Sequence, residues 1–165
     1  MRTLYTRLHW SILILCVLGL AAALISQHWA NMRPCAWCVF QRLILLVMAG
    51  VTVANLWCQT RFRLCSKILT GISALLAGSG ILAAWYQYSV AAQQFSCAQT
   101  FADWFMTASG LSSAAPWLFG IYATCMDARV KLLGIEYALW ALALFVVLAA
   151  LAITALFTKQ QDQTP

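Results

Sequence analysis

Charged residues are scarce in this chain of 165 residues, since they make up 8% of it and only four of them are acidic. Soluble domains contain about 25% charged residues, so this scarcity excludes an ordinary soluble globular domain. Hydrophobic residues make up 64% of the chain, whereas an average soluble protein has about 45–50%. The composition therefore predicts an integral membrane protein.

A second pair of metal ligands is also lacking. The one Cys-x-x-Cys motif is Cys35-Ala36-Trp37-Cys38, and no further Cys-x-x-Cys or His pair accompanies it. A structural zinc site needs four ligands, which usually come as two such pairs. We therefore interpret Cys35 and Cys38 as a reversible dithiol/disulfide couple. The net charge of +6 is spread over segment ends instead of forming one basic stripe, so nucleic-acid binding is not expected.

Four apolar stretches dominate the sequence, at about residues 8–26, 39–57, 68–88 and 137–157. As helices rising about 1.5 Å per residue, they are long enough to cross a hydrocarbon core of about 30 Å. The first lacks a convincing cleavage site for a signal peptide, so we keep it as a helix of the protein. We predict an all-α membrane protein, a four-transmembrane-helix bundle that forms a single domain over residues 1–165.

Lysine and arginine predict the orientation of this bundle. Six of these residues lie at the two ends of the chain and in the turn 58–67: Arg2, Arg7, Arg61, Arg63, Lys67 and Lys159. The positive-inside rule therefore places both termini and this turn in the cytoplasm. The short loop 27–38 and the long loop 89–134 then lie on the opposite side of the membrane.

This orientation sorts the seven cysteines by redox environment. The outer side has four, which make two pairs and allow three pairings: Cys35, Cys38, Cys97 and Cys125. Disulfides persist on that side, whereas Cys58 and Cys65 face the reducing cytoplasm and are interpreted as incidental free thiols. Cys16, in the middle of the first span, is interpreted as a small buried hydrophobe.

Arg42 stands four residues after Cys38, near the start of the second span. A helix that begins near Cys38 would place this cysteine at the positive helix end, which favours a thiolate. Arg42 would lie one turn deeper on the same face, within reach of Cys38 or of a ligand beside it. Arginine in a membrane span is costly and is a functional candidate, although it can also extend to lipid phosphates.

Three features together resemble a known family. They are the pattern Cys-x-x-Cys-x-x-Gln-Arg at the start of the second helix, the separated Cys97 and Cys125 in a long outer loop, and Leu133-Gly134-Ile135-Glu136 before the last helix. The chain resembles the disulfide bond formation protein B (DsbB) family, which are thiol:quinone oxidoreductases of the bacterial inner membrane. The resemblance implies that loops 27–38 and 89–134 are periplasmic.

The resemblance also implies a role for each site residue. Cys97 and Cys125 would exchange thiols with a periplasmic thioredoxin-fold oxidase of the DsbA type, and would pass electrons to Cys35 and Cys38, with a transient Cys35–Cys125 link. Cys38 would reduce a bound quinone, either ubiquinone or menaquinone, and Arg42 would hold a quinone oxygen. Gln41, beside Arg42 in the motif, is a further candidate for quinone binding.

One family feature is missing. Some members carry a histidine or arginine near the start of the second outer loop as a further quinone contact, and here the residues at that level are Gln87 and Tyr88. His9 is instead predicted at the cytoplasmic interface, and His28 in a solvated loop. The way in which the second quinone oxygen is held is therefore left open.

Two other classes of protein share parts of this pattern. Proteins resembling vitamin K epoxide reductase also surround a Cys-x-x-Cys motif with four helices, but there the motif follows the separated cysteines, whereas here it precedes them. A non-enzymatic four-span scaffold with disulfide-stapled loops is the second alternative. A structural staple, however, gains nothing from a buried cation such as Arg42 beside it.

Overall fold

The computed structural model describes residues 2–91 and 100–158. Four long helices carry most of these residues: α1 (Arg2–His28), α2 (Ala36–Cys58), α3 (Arg63–Ser89) and α7 (Tyr137–Phe157). Between α3 and α7 lie three short helices and a two-stranded hairpin: α4 (Phe101–Ala108), α5 (Leu111–Ala114), α6 (Pro116–Phe119), β1 (Lys131–Leu132) and β2 (Ile135–Glu136). Each long helix contains one of the four apolar stretches.

The four long helices close into a bundle, because α1 and α3 each pack against both α2 and α7. All four are long and apolar enough to cross a membrane, over Leu4–His28, Ala36–Cys58, Arg63–Ser89 and Tyr137–Phe157. The prediction of an all-α membrane protein with four spans is confirmed. In such a helix every backbone hydrogen bond is made within the segment, which is what hydrocarbon surroundings require.

Large side chains fill the centre of the bundle and also cover its outside. Ile12, Met48 and Phe145 are fully buried between the helices. Leu75 and Leu82 point outward and are more than two-thirds exposed. An outward apolar face is stable in lipid, because lipid chains are as apolar as leucine.

Small residues let α3 and α7 approach closely. The buried face of α3 contains Ser73 and Ala77, and it continues through Gly80. A Cβ atom at Gly80 would lie 2.2 Å from the ring of Phe145 on α7. Glycine is therefore required at this contact, whereas Gly71 and Gly78 have open space where a Cβ would be.

Residues 100–136, which we call the outer segment, cover one end of the bundle. Thr100 and Asp103 form a capping box at the start of α4, which fixes where this helix begins. Phe105 of α4 then packs edge-on against Phe40 of α2, with ring centroids 5.6 Å apart. The hairpin turns at Leu133 and Gly134, which both have positive φ, as the central residues of a type I′ turn do. It delivers the chain directly into α7.

Candidate redox site

The Cys-x-x-Cys motif forms the first turn of α2. Cys35 is the N-cap with extended backbone angles, so the helix begins at Ala36, slightly earlier than the start near Cys38 that we predicted. The carbonyl of Cys35 accepts the N–H of Val39 at 3.0 Å. This turn holds the two thiols together, with the Sγ atoms of Cys35 and Cys38 3.2 Å apart. The geometry suits a dithiol that opens and closes reversibly.

Cys125, from the outer segment, lies against the same turn. Its side chain forms a hydrogen bond with Cys35, and this bond is the largest influence on the Cys35 thiol. Together with burial it raises the pKa of Cys35 to about 12, although the contact with Cys38 opposes the rise. Cys35 therefore remains a thiol at neutral pH. Cys97, predicted as the partner of Cys125, lies outside the described residues.

Arg42 is buried, with 4% of its surface exposed, at the same end of the bundle. Its guanidinium makes no hydrogen bond to Cys38, which was one of the two partners that the helix geometry allowed. It donates instead to the carbonyl of Ala23 at 3.0 Å, to that of Leu118 at 3.1 Å, and to the side chain of Gln27. Its Nε atom is buried and has no hydrogen-bond partner among residues 2–91 and 100–158.

A chain of two amides runs from α2 to the sulfur of Cys38. Gln41 Nε2 donates to Gln87 Oε1 at 2.7 Å, and Gln87 Nε2 donates to Cys38 Sγ at 3.2 Å. Both glutamines are buried. A donor aimed at sulfur stabilises a thiolate relative to a thiol, so Gln87, near the end of α3, would favour the thiolate form of Cys38.

A cavity of about 250 Å³ opens beside these groups. Its wall combines small and apolar side chains with a few polar groups, as ligand sites commonly do. The apolar part consists of Gly19, Ala22, Ala23, Leu45, Leu132, Ala138, Trp140, Ala141, Leu144 and Phe145, and the polar part of Cys38, Gln41, Arg42, Gln87 and Tyr137. A narrower crevice of about 30 Å³ adjoins it and shares Cys38, Arg42 and Tyr137.

Several of these positions carried little signal in the sequence. Gln27, which belongs to α1 in the structure, was one polar residue of the predicted loop 27–38. Tyr137 was one of many aromatic residues near span ends. The carbonyls of Ala23 and Leu118 have no sequence signal, since every residue has a carbonyl group. What the pattern did indicate was Cys38, Gln41 and Arg42, at three- and four-residue spacing on one helix, and these three line one cavity.

Comparisons with known proteins point in one direction. A model of the family described as disulfide bond formation protein DsbB matches residues 5–155. Disulfide bond formation protein B of Aliivibrio fischeri is 28% identical, and the match covers 93% of this chain and 94% of that protein. The protein of the same name from Psychromonas ingrahamii is 31% identical, and the match covers 92% of this chain and 86% of the relative.

Proposed function

The chain belongs to the DsbB family, and on that basis we propose that it oxidises a periplasmic DsbA-type dithiol protein and passes the electrons to a membrane quinone. Membership itself gives the chain a role in disulfide bond formation, as a disulfide-forming oxidoreductase, and its four apolar helices make it a multi-pass membrane protein. We propose the bacterial inner membrane, cytoplasmic termini, a cytoplasmic turn 58–67, and periplasmic loops 27–38 and 89–134 within one membrane domain.

The observation that carries the quinone proposal is the cavity beside Cys38. It is largely apolar and lies among the ends of membrane-length helices, where a lipid-soluble ring can enter. The buried Nε of Arg42 lacks a partner among the described residues, and an unpaired buried donor costs about 1–3 kcal/mol. A quinone carbonyl oxygen would satisfy it, so the residues present fit such a ligand.

A quinone bound in the cavity supplies an acceptor for two electrons and two protons. Cys38 lines the cavity, and Gln87 donates to its sulfur. As Cys35 and Cys38 close to a disulfide, they give up two electrons and two protons. Arg42 would hold a ring oxygen and supply positive charge beside it, and its contact to α1 keeps the guanidinium in place.

Thiol exchange would return Cys35 and Cys38 to the reduced dithiol form. We propose that the partner's dithiol reduces a Cys97–Cys125 disulfide and becomes a disulfide itself, and that the resulting dithiol reduces Cys35–Cys38. Each exchange forms one S–S bond and breaks another, so atoms and electrons balance. The contact between Cys125 and Cys35 supports this route, because attack at sulfur requires the two sulfurs to touch.

The test follows a soluble quinone by its absorbance in the presence of the purified protein and a reduced DsbA-type partner. We expect steady quinone reduction by the unaltered protein and its loss in Cys38→Ser. The matched control is Cys58→Ser, which removes a thiol at the other end of α2 and should keep full activity. A folded Cys38→Ser variant that still reduces quinone would contradict the proposal, as would an inactive unaltered protein, which the scaffold alternative predicts.

A further inference from the structure

We propose that the hydroxyl of Tyr137 donates a hydrogen bond to a quinone ring oxygen, so that Tyr137 and Arg42 hold one oxygen between them. This inference rests on the proposed function, and it adds a second polar contact at the ring oxygen that Arg42 holds. Tyr137 is the first residue of α7, directly after the β1–β2 hairpin. The helix start and the hairpin together fix its position.

Tyr137 lines both the 250 Å³ cavity and the narrower crevice, as do Cys38 and Arg42. Its ring also lies within electrostatic range of the Arg42 guanidinium. Cys38, Arg42 and Tyr137 thus lie where the cavity and the narrower crevice adjoin. A ring oxygen in this place would be close to the electron donor and to two hydrogen-bond donors.

The Tyr137 hydroxyl has a weak partner in the protein. Its oxygen lies 3.4 Å from Ser26 Oγ, which is longer than the 2.5–3.0 Å of a good O–H···O bond. Ser26 gives its own proton to the carbonyl of Ala23 at 2.9 Å, so it can only accept from Tyr137. The Tyr137 proton is therefore available to a better acceptor in the cavity.

The other polar groups of the wall each make at least one hydrogen bond. Gln41 donates to Gln87, and Gln87 donates to Cys38. Both terminal nitrogens of Arg42 donate to carbonyl groups or to Gln27, whereas its Nε has no hydrogen-bond partner in the described chain. Among the donor atoms of the polar side chains that line the cavity in the described parts of the chain, the Arg42 Nε and the Tyr137 hydroxyl are therefore the two without a short hydrogen bond.

The experiment measures binding without turnover, on the oxidised protein in micelles. Duroquinone is titrated and followed by quenching of tryptophan fluorescence, since Trp140 lines the cavity. In Tyr137→Phe we expect the Kd to rise about three- to tenfold, the value of one hydrogen bond. Tyr122→Phe is the matched control, because its hydroxyl bonds a carbonyl of the outer segment, and its Kd should not change.

A second ligand separates the hydrogen bond from packing. Durene has the carbon frame of duroquinone without the ring oxygens, and its Kd is obtained by competition. We expect Tyr137→Phe to leave the durene Kd unchanged. An equal loss for both ligands would overturn the inference, because it would mean that the variant had altered the shape of the cavity.

An infrared measurement keeps the inference testable if the variant folds poorly. With ¹³C-labelled duroquinone on the unaltered protein, we expect one carbonyl band shifted to lower frequency than in empty micelles, and a partial return in Tyr137→Phe. A band unshifted in the unaltered protein would overturn the inference. If the unaltered protein binds and reduces quinone but Tyr137→Phe binds equally well, this inference fails alone; if the unaltered protein does neither, the proposed function fails.

Discussion

Two buried polar clusters lie at opposite ends of the same helical bundle. The first, the Tyr5 cluster, consists of Tyr5, His9, Asn55, Ser66 and Thr70. The second, the Cys38 cluster, consists of Cys38, Gln41, Arg42 and Gln87. Burying polar groups is costly in both places unless hydrogen bonds compensate. The two clusters meet that requirement in different ways.

The Tyr5 cluster satisfies its own hydrogen bonds. The hydroxyl of Tyr5 lies 2.7 Å from Thr70 Oγ1 and 2.8 Å from Ser66 Oγ, and Ser66 donates to Asn55 Oδ1 at 2.6 Å. Asn55 Nδ2 donates to Thr70 at 2.7 Å and lies 2.9 Å from His9 Nε2. The network joins α1, α2 and α3. It serves to hold three helices together.

The Cys38 cluster leaves a donor unused beside an open space. Arg42 is anchored by α1 and the outer segment, yet its Nε has no partner in the described chain, and the cavity lies next to it. Buried polar residues alone therefore do not identify a ligand site in this bundle. An unpaired donor together with adjacent space does, which separates a binding site from a structural network.

Among the three changes, we expect the replacement of Arg42 to have the largest effect. In Arg42→Met we expect quinone reduction to fall about 10²–10³-fold, because the stabilising charge beside the ring oxygen is lost. Thiol exchange between the partner and the protein should continue, measured as formation of the mixed disulfide. Arg129→Met is the control, since Arg129 is a half-exposed residue paired with Glu136.

Loss of mixed-disulfide formation as well, or near-normal quinone reduction in the folded variant, would mean that Arg42 is a structural residue like those of the Tyr5 cluster. The comparison would then fail, because both ends of the bundle would use buried polar groups for packing alone.

The second change tests the Tyr5 cluster. Asn55→Leu keeps the side-chain volume similar and removes the bonds to Ser66, Thr70 and His9. We expect the free energy of unfolding in mixed micelles to fall by about 2 kcal/mol, roughly a 30-fold change in the unfolding equilibrium. Quinone affinity of the folded protein should be unchanged.

The matched control for Asn55→Leu is Thr154→Val. Thr154 bonds a carbonyl of its own helix, so its loss should cost little. An Asn55→Leu protein with normal stability and weakened quinone binding would reverse the roles that we assign to the two clusters.

The sequence was sufficient for the bundle but only partly for the site. Apolar stretches of membrane length determine the helices, because hydrocarbon allows few other structures. Helical spacing also brings Cys38, Gln41 and Arg42 to one cavity. The prediction for His9 concerned its side of the membrane and did not include its full burial. A histidine near a span end carries no sign that Tyr5, Asn55 and Thr70 will surround it.

Contacts between distant segments determine the side-chain positions in the site that the sequence did not predict. Arg42 turns to Ala23 and Leu118, which are 19 and 76 residues away, and its direction depends on how α1 and the outer segment close over α2. Spacing along one helix cannot supply that information. The same holds for Tyr137, whose place in the wall depends on the packing of α7 against α1.

The third change concerns Cys125, which contacts Cys35 at the end of the bundle that holds the Cys38 cluster. The hydrogen bond with Cys125, with burial, raises the pKa of Cys35 to about 12, against an ordinary value of 9.0. In Cys125→Ala we expect the pKa of Cys35 to fall toward 9.0, because the bond that favours the thiol is gone. Alkylation by iodoacetamide requires the thiolate, so at a pH near 10 Cys35 of the reduced variant should be labelled about tenfold faster than Cys35 of the unaltered protein.

The readout is the mass of the fragment that carries Cys35, taken over a series of pH values, with Cys65→Ala at the other end of the bundle as control. An unchanged profile in Cys125→Ala would mean that burial alone sets the reactivity of Cys35, and that the outer segment does not govern the dithiol as the Cys35–Cys125 contact indicates.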